Sequence, residues 1–180
     1  MARRGVVVAS QVLALALVVL LPARGDAQRL LSIRLSGGLT PSASGNTFAY
    51  ETGVHGQLAV EWERLLGRLG LRLDAFVHGL RRDPAGSALS PRTTVPGATA
   101  SLVLPLARET KMLRPYLTAG GGTYRTELGG SGAEWHFGLS GGAGLELGVG
   151  RVHPFVEVRV HRVYDGATPR LVPVSVGLRF

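Results

Sequence analysis

The 180-residue chain carries 20 Lys and Arg residues against 12 Asp and Glu residues, a formal net charge of +8, and it contains no cysteine. The length suits one domain with a substantial core and leaves little room for a second. The absence of cysteine excludes a disulfide scaffold, a thiolate metal site and cysteine catalysis. The basic balance would suit a nucleic-acid partner, and the N-terminal segment argues against that partner.

The N-terminal segment has the pattern of a secretory signal peptide. Arg3 and Arg4 precede an apolar stretch whose uninterrupted part, residues 12–21, is too short to span a bilayer as a helix. The small residues Gly25 and Ala27 then fit a cleavage site. We predict a signal peptide at residues 1–27 and one mature domain at residues 28–180. A single anchoring helix is the alternative, and export makes nucleic acid an unexpected partner.

The mature chain alternates apolar and polar residues with a period of two, which is the pattern of β-strands. In the final segment, for example, Val174 and Val176 alternate with Ser175 and Gly177. No comparable helical stripe competes with this alternation. We predict eight strands, at residues 30–39, 54–63, 69–80, 97–106, 113–124, 135–149, 152–164 and 172–180.

The predicted connections alternate in length. The longer ones are residues 40–51, 81–96, 125–134 and 165–170, and the shorter ones are 64–68, 107–112 and 150–151. An antiparallel barrel that crosses a membrane shows this alternation, with long loops on one side and tight turns on the other. The strand lengths also suit the ~9–11 tilted residues that cross a bilayer.

Alternation alone does not say whether the apolar face meets lipid or fills a soluble barrel. Three features favour lipid. Aromatic residues gather at both ends of the apolar face, Trp62 and Phe180 at one end and Trp135, Phe137 and Tyr164 at the other, as at two membrane interfaces. The opposite face mixes charges of both signs with many glycines. The chain also ends on an aromatic residue that completes an apolar strand.

The terminal strand carries a resemblance to a known family. With Val174, Val176, Leu178 and Phe180 on one face, it resembles the C-terminal strand that the barrel-assembly machinery recognises in bacterial outer-membrane proteins. Residues 114–122 and 138–162 are similar to the small OmpA/OmpX-like barrels. The resemblance covers nearly the whole mature chain. It implies an all-β, eight-stranded antiparallel up-and-down transmembrane β-barrel in the outer membrane, with both termini in the periplasm.

The same resemblance implies the partners. We expect a monomer surrounded by outer-membrane lipid, which meets the barrel-assembly machinery during biogenesis. Sorting the charges by predicted side places a net charge of +6 at the periplasmic rim, which suits anionic headgroups. The residues in that count are Arg29, Arg64, Arg68, Arg108, Lys111, Arg114 and Arg151 against Glu109.

The inward face carries nearly balanced charges. Charges buried in a narrow barrel persist only when they are paired, and side chains fill the interior of an eight-stranded barrel. We therefore predict a polar plug, no wide channel, and a structural or surface-interaction role exercised through the longer loops. The predicted salt-bridge network consists of Arg34, Glu61, Arg72, Asp74, Glu146, Glu157, Arg159 and Arg179, with Glu63 also facing inward.

Two other functions stay open at this point. One is binding or passage of a small hydrophobic molecule, which a void on the loop side lined by Phe76, Tyr116, Tyr124 and Phe155 would favour. The other is a soluble periplasmic lipocalin-like carrier, although the Gly-x-Trp signature of that class is absent near the first strand.

Catalysis is the remaining alternative. Glu157, Arg159 and His161, with Asp74 and His78 on another strand, could form an acid–base group. Lipid A deacylase barrels, which are similar in size, place a serine two residues after the catalytic histidine. None of the five histidines here has a serine at that spacing. We expect no enzyme activity, no metal and no cofactor.

Overall fold

The computed structural model describes residues 31–43, 50–82, 92–107, 112–127, 132–148, 150–164 and 170–180. The predicted signal peptide at residues 1–27 lies outside the described residues, as do the central parts of the predicted longer loops. Across the described ranges, no helix is both long enough and apolar enough to cross a membrane.

Strands make up nearly all of the described chain, as the period-two alternation predicts. They are β1 (Leu31–Thr40), β2 (Ser42–Ala43), β3 (Tyr50–Leu66), β4 (Leu69–Arg82), β5 (Arg92–Pro105), β6 (Leu113–Glu127), β7 (Ala133–Leu147), β8 (His153–Val163), β9 (Arg170–Leu171) and β10 (Val174–Arg179).

The sheet closes on itself. Each long strand pairs antiparallel with the next along the chain, and β10 pairs with both β1 and β8. The two-residue strands β2 and β9 pair with each other beyond the breaks at Pro41 and Pro173. They therefore extend the first and last of eight barrel strands. The predicted all-β, eight-stranded antiparallel up-and-down barrel is confirmed.

The end of the barrel that carries the longer predicted connections is called the loop end. The hairpins at this end extend further than the sequence predicts. Residues 92–96 lie in β5, inside the predicted connection, and Arg92 pairs with Arg81. Pro96 is the last residue of that predicted connection. It pairs only with Val77 on β4, because the ladder to β6 begins at Gly97, and a strand tolerates proline where one side is unpaired.

The apolar face points outward. On β8 the side chains of Val156, Val158 and Val160 are exposed, whereas Glu157 and Arg159 between them are buried. The other long strands alternate in the same sense. The barrel therefore has its continuous apolar face outside and its paired charges inside, the reverse of a soluble carrier whose apolar face fills the interior. This orientation contradicts the lipocalin-like alternative.

Candidate functional site

The buried charged groups of the described chain meet in the middle of the barrel lumen. Asp74, on β4, is the centre of one cluster. Its carboxylate accepts two hydrogen bonds from the Arg159 guanidinium, at 3.0 and 3.3 Å, and lies 3.3 Å from Nε of Arg72. Gln57 and Thr99 also donate to it, at 2.6 and 3.2 Å. This carboxylate is paired and hydrogen-bonded from four directions.

Glu157, on β8, is the second acid of this cluster. It accepts hydrogen bonds from Nη1 of Arg72 at 2.9 Å, from the Tyr116 hydroxyl at 2.6 Å, and from Arg159 on its own strand. Arg72 therefore bridges Asp74 and Glu157, and its side chain is fully enclosed. The two arginines and two acids form a charge-balanced group across the lumen, as buried ions require. Arg72 also lies 4.0 Å from Glu61, which joins this group to the next one.

The end of the barrel that carries the shorter connections is called the turn end. Arg34, on β1, connects the central group to this end. Its Nε lies 2.7 Å from Glu61 and its Nη2 lies 2.9 Å from Glu146. The guanidinium also stacks on the rings of Tyr116 and Phe155, with centroid distances of 4.9 and 4.8 Å. One arginine thus joins acids on β3 and β7 and packs against aromatic rings on β6 and β8.

Arg179 closes the network at the turn end. It forms ion pairs with Glu63 and, at 2.9 Å, with Glu146. Glu146 also contacts His153 at 3.0 Å and Arg114 at 3.8 Å. All eight residues of the predicted network therefore lie in one connected set of ion pairs. The acids and arginines come from β1, β3, β4, β7, β8 and β10.

Glycines on the inward face make room for the large side chains. A Cβ at Gly144 would lie 2.2 Å from the Tyr116 ring, and a Cβ at Gly142 would lie 2.7 Å from Cγ of Arg159. Both glycines lie directly across from the strands that carry these side chains. The glycine-rich stretch of β7 is therefore required by the volume of the plug.

A separate layer of histidines lies on the loop side of the network. The Thr40 hydroxyl is 3.0 Å from Nδ1 of both His55 and His78. His55 Nε2 is 2.8 Å from the Ser175 hydroxyl, and the His78 and His161 rings are 5.6 Å apart. Sequence reasoning missed the Ser175–His55 pair, because the two residues are 120 positions apart. The available signal was that both residues occupy alternating positions predicted to face the lumen.

The acid–base group drawn from the sequence is divided between these two layers. Asp74, Glu157 and Arg159 belong to the ion-pair network, whereas His161 bonds the Tyr124 hydroxyl at 2.8 Å and His78 bonds Thr40. Among the described residues, no group of three or more His, Asp or Glu side chains is arranged to hold a metal ion.

A buried apolar cluster lies at the loop end of the lumen, where a void was considered. Phe76 and Tyr124 pack together there, 5.4 Å between ring centroids, in a buried apolar cluster with Leu80, Val95, Val163 and Leu171. Tyr116 and Phe155, the other two proposed wall residues, lie with Arg34 nearer the turn end. The four aromatics therefore do not line one loop-side void, because they belong to different layers.

The predicted interface aromatics lie on the outer surface at the two ends. Trp135, Phe137 and Tyr164 are exposed at the loop end, where the Phe137 and Tyr164 rings stack 6.3 Å apart. At the other end Trp62 is half-buried and Phe180 is exposed. The two groups are separated by the aliphatic surface.

The closed eight-stranded antiparallel barrel, with aliphatic residues outside and paired charges inside, has the fold of the small outer-membrane barrels. Solved structures of this class match the chain along most of its length. Neisserial surface protein A matches with a TM-score of 0.55 and 19% identity, over 83% of this chain and 94% of that one.

Two further solved structures show the same fold. The outer membrane enzyme PagL matches with a TM-score of 0.54 and 16% identity, over 82% of this chain and 98% of that one. Ail, the attachment invasion locus protein of Yersinia pestis, matches with a TM-score of 0.51 and 17% identity, over 84% and 97%. No protein-family model and no curated protein sequence matches the chain.

Proposed function

We propose that this protein is an integral barrel of the bacterial outer membrane, with a plugged lumen and a structural or surface-interaction role. The outer surface carries this proposal. On β4, the outward residues from Leu71 to Val77 are apolar, as are those of β8 from Val156 to Val160 and those of β10 from Val174 to Leu178. The exposed Arg162 of β8 lies beside Tyr164, at the loop-end rim. A continuous aliphatic surface of this size is stable against lipid and is an aggregation hazard in water.

Cell fractionation tests the location. We expect the protein in the detergent-resistant outer-membrane fraction, with faster gel mobility before heating than after, because an unheated barrel stays compact. A soluble periplasmic protein serves as the control. Release of the protein by osmotic shock, without detergent, would contradict the membrane proposal.

The lumen network supports the plugged interior. Arg72, Asp74, Glu157 and Arg159 are each at most 3% exposed, and they are paired across the barrel rather than turned toward an open path. The apolar cluster around Phe76 and Tyr124 adds a second layer on the loop side, which disfavours passage of a hydrophobic molecule through the barrel. Charged side chains that are paired across the barrel in this way fill its interior and leave no wide aqueous path.

Conductance measurements test the plug. In planar bilayers of zwitterionic lipid we expect no steps of the size that a general porin gives under the same conditions. The porin is the positive control, and heat-modifiable mobility of the reconstituted sample shows that the barrel is folded. Porin-sized steps from folded protein would contradict the plug and leave the membrane location unaffected.

A non-enzymatic role is part of the proposal, although the barrel PagL is an enzyme by name. The pair that most resembles a nucleophile and its base is Ser175 with His55. Both are buried in the lumen, and Nδ1 of His55 faces the Thr40 hydroxyl instead of a carboxylate. A serine nucleophile normally needs a histidine base, and a carboxylate that accepts a hydrogen bond from the other ring nitrogen orients that histidine.

A fluorophosphonate probe tests this point. We expect no labelling of the folded barrel, and the same result for Ser175→Ala. Labelling that Ser175→Ala abolishes would contradict the non-enzymatic role. PagL itself is the positive control for probe reactivity in a barrel.

The proposed partners follow from the surface. Outer-membrane lipid surrounds the apolar outer surface. The barrel-assembly machinery recognises the last strand through its outward residues Val174, Val176, Leu178 and Phe180. All four side chains are exposed on the outer face, where a partner could contact them before insertion. The predicted longer loops would supply the loop-end contacts, and deletion of the part of each loop that lies outside the strands, within residues 44–49, 83–91, 128–131 and 165–169, tests that role.

A further inference from the structure

A cavity of about 300 Å³ opens at the turn end of the barrel, next to the lumen network. This is the lower end of the range for small-molecule sites. The turn after β3 forms part of its rim, and Arg34, Glu146 and Arg179 form part of its inner wall. The cavity lies at the opposite end from the apolar cluster of Phe76 and Tyr124, so it is separate from the loop-side void considered from the sequence.

The charge of the lining is positive. Five arginines and three glutamates line the cavity, an excess of two positive charges. The inner pair, Arg34 and Arg179, already binds the acids, since Arg34 contacts Glu61 and Glu146 and Arg179 contacts Glu63 and Glu146. Arg114 also contacts Glu146, at 3.8 Å, so the excess belongs to the lining as a whole. Three of the lining arginines lie nearer the mouth. They are Arg64, Arg68 and Arg114.

Two of these arginines are held in place by local backbone features. Arg64 has φ of 55°, a left-handed conformation that non-glycine residues rarely adopt. Such conformations concentrate where function requires a particular placement. The Arg114 guanidinium packs over Gly148, where a Cβ would lie 2.7 Å from its Nε. Arg64 therefore carries a conformational cost at the turn, and Gly148 leaves the space that the Arg114 guanidinium occupies.

The far wall of the cavity is apolar. It consists of Val103 and Pro105 on β5 and Pro115 and Tyr116 on β6. These strands lie across the eight-stranded barrel from β1 and β10, which carry Arg34 and Arg179. Arg114 lies on β6 beside these residues, and Arg34 packs on the Tyr116 ring, so a molecule in the cavity would meet guanidinium groups and carbon surface next to each other.

We propose that this cavity is a binding site for a small soluble organic anion, a phosphate monoester or carboxylate with an apolar body, that enters from the turn end. Guanidinium groups suit both anions because they donate paired hydrogen bonds to two oxygens. The excess of positive charge selects against cations, and the apolar wall selects for a carbon body over a bare inorganic ion. In the outer-membrane orientation proposed above, this end faces the periplasm.

Calorimetric titration of the full barrel in zwitterionic nanodiscs tests the site. Phenyl phosphate is the probe, inorganic phosphate tests the apolar wall, and phenyltrimethylammonium tests the charge. We expect saturable one-to-one binding of phenyl phosphate, weaker binding of inorganic phosphate and none of the cation. Absence of saturable phenyl phosphate binding would overturn the proposal, and so would equal binding of the cation.

Variants locate the binding. Arg68→Gln is expected to weaken phenyl phosphate binding about tenfold, the worth of one charge-assisted hydrogen bond. Arg151→Gln is the matched control, because Arg151 is exposed on another turn at the same end and does not line the cavity. Equal weakening by both variants would show general surface attraction and overturn the site.

A steric variant is independent of charge. Ala107→Trp fills the cavity from its lining, and Leu106→Trp places the same side chain at the neighbouring exposed position that is outside the lining. We expect the first to abolish binding and the second to preserve it. Heat-modifiable mobility shows that each variant is folded. Binding retained by folded Ala107→Trp would contradict the location, whatever the outcome of the conductance and fractionation experiments.

Discussion

The Arg159 guanidinium on β8 meets the Asp74 carboxylate on β4 with two parallel hydrogen bonds, Nη1–Oδ2 at 3.0 Å and Nη2–Oδ1 at 3.3 Å. These strands are four positions apart in the eight-stranded barrel, so the pair spans the lumen. It joins two walls that the backbone ladder connects only through the intervening strands. The contact is therefore a cross-brace of the barrel as well as part of its filling.

The first prediction concerns this brace. Asp74→Asn leaves the Arg159 and Arg72 charges with one acid fewer, and we expect the free energy of unfolding to fall by about 3–5 kcal/mol, the cost of breaking a buried pair. Urea unfolding in a fixed lipid or detergent measures it. Asp74→Leu combined with Arg159→Met removes both charges, and it should be much less destabilising than Asp74→Asn. If the double variant is less stable than Asp74→Asn, the two side chains do more for stability than neutralise each other, which would contradict the prediction.

The second prediction concerns the space inside the barrel. Gly144→Ala would place a Cβ 2.2 Å from the Tyr116 ring, and overpacking of this kind costs about 1–3 kcal/mol. We expect a lower unfolding midpoint. Gly141→Ala on the same strand is the control, because its Cβ would have its nearest contact at 3.7 Å, an ordinary distance. Equal stability of the two variants would show that the plug yields at Tyr116.

The third prediction concerns the apolar outer surface of the barrel. Val158 is exposed at the middle of β8, and Tyr164 is exposed just beyond the loop end of the same strand. In a lipid bilayer, Val158→Arg should cost about 2–4 kcal/mol and Tyr164→Arg about 0–1 kcal/mol, because the penalty for charge falls toward the interface. Unfolding titrations in vesicles measure both. Equal small effects at the two positions would contradict immersion of this face in lipid.

The fourth prediction separates assembly from stability at Phe180. The Phe180 backbone forms hydrogen bonds with Ile33 in both directions, at 2.9 and 3.2 Å, where the last strand meets the first. Phe180→Ala keeps these backbone bonds and removes the exposed ring. We expect a several-fold lower amount of assembled barrel in cells and unchanged refolding of the purified chain in lipid.

Phe137→Ala is the matched control, since it removes an equally exposed ring at the other end of the barrel. Equal assembly of the two variants in cells would contradict recognition through the terminal residue. A parallel loss of refolding in purified Phe180→Ala would assign the effect to closure of the barrel instead.

The strands were predictable from the sequence because their signal is local. An alternation such as that of residues 152–164 reports which residues share a face, and the strands follow directly. The boundaries were less predictable where a local signal conflicted with pairing. The predicted connection at residues 81–96 ended at Pro96, whereas the observed ladder with β4 continues through Pro96 to Arg92.

The candidate site was predictable as a set and not as a geometry. Inward parity identified the eight charged residues, from Arg34 to Arg179, and the requirement that buried ions be paired predicted that they meet. The pairings were not predictable, because partners such as Arg72 and Glu157 are 85 positions apart and are brought together by barrel closure. The Ser175–His55 contact and the cavity at the turn end depend on closure in the same way.

The sequence by itself therefore determined the period of the strands, their number and the composition of each face. The tertiary structure confirmed the predicted outward direction of the apolar face, and it decided the partner of each lumen charge and the position of the space that remains. The physical reason is range. Alternation is a property of neighbouring residues, whereas contacts across the lumen form only after the last strand has paired with the first.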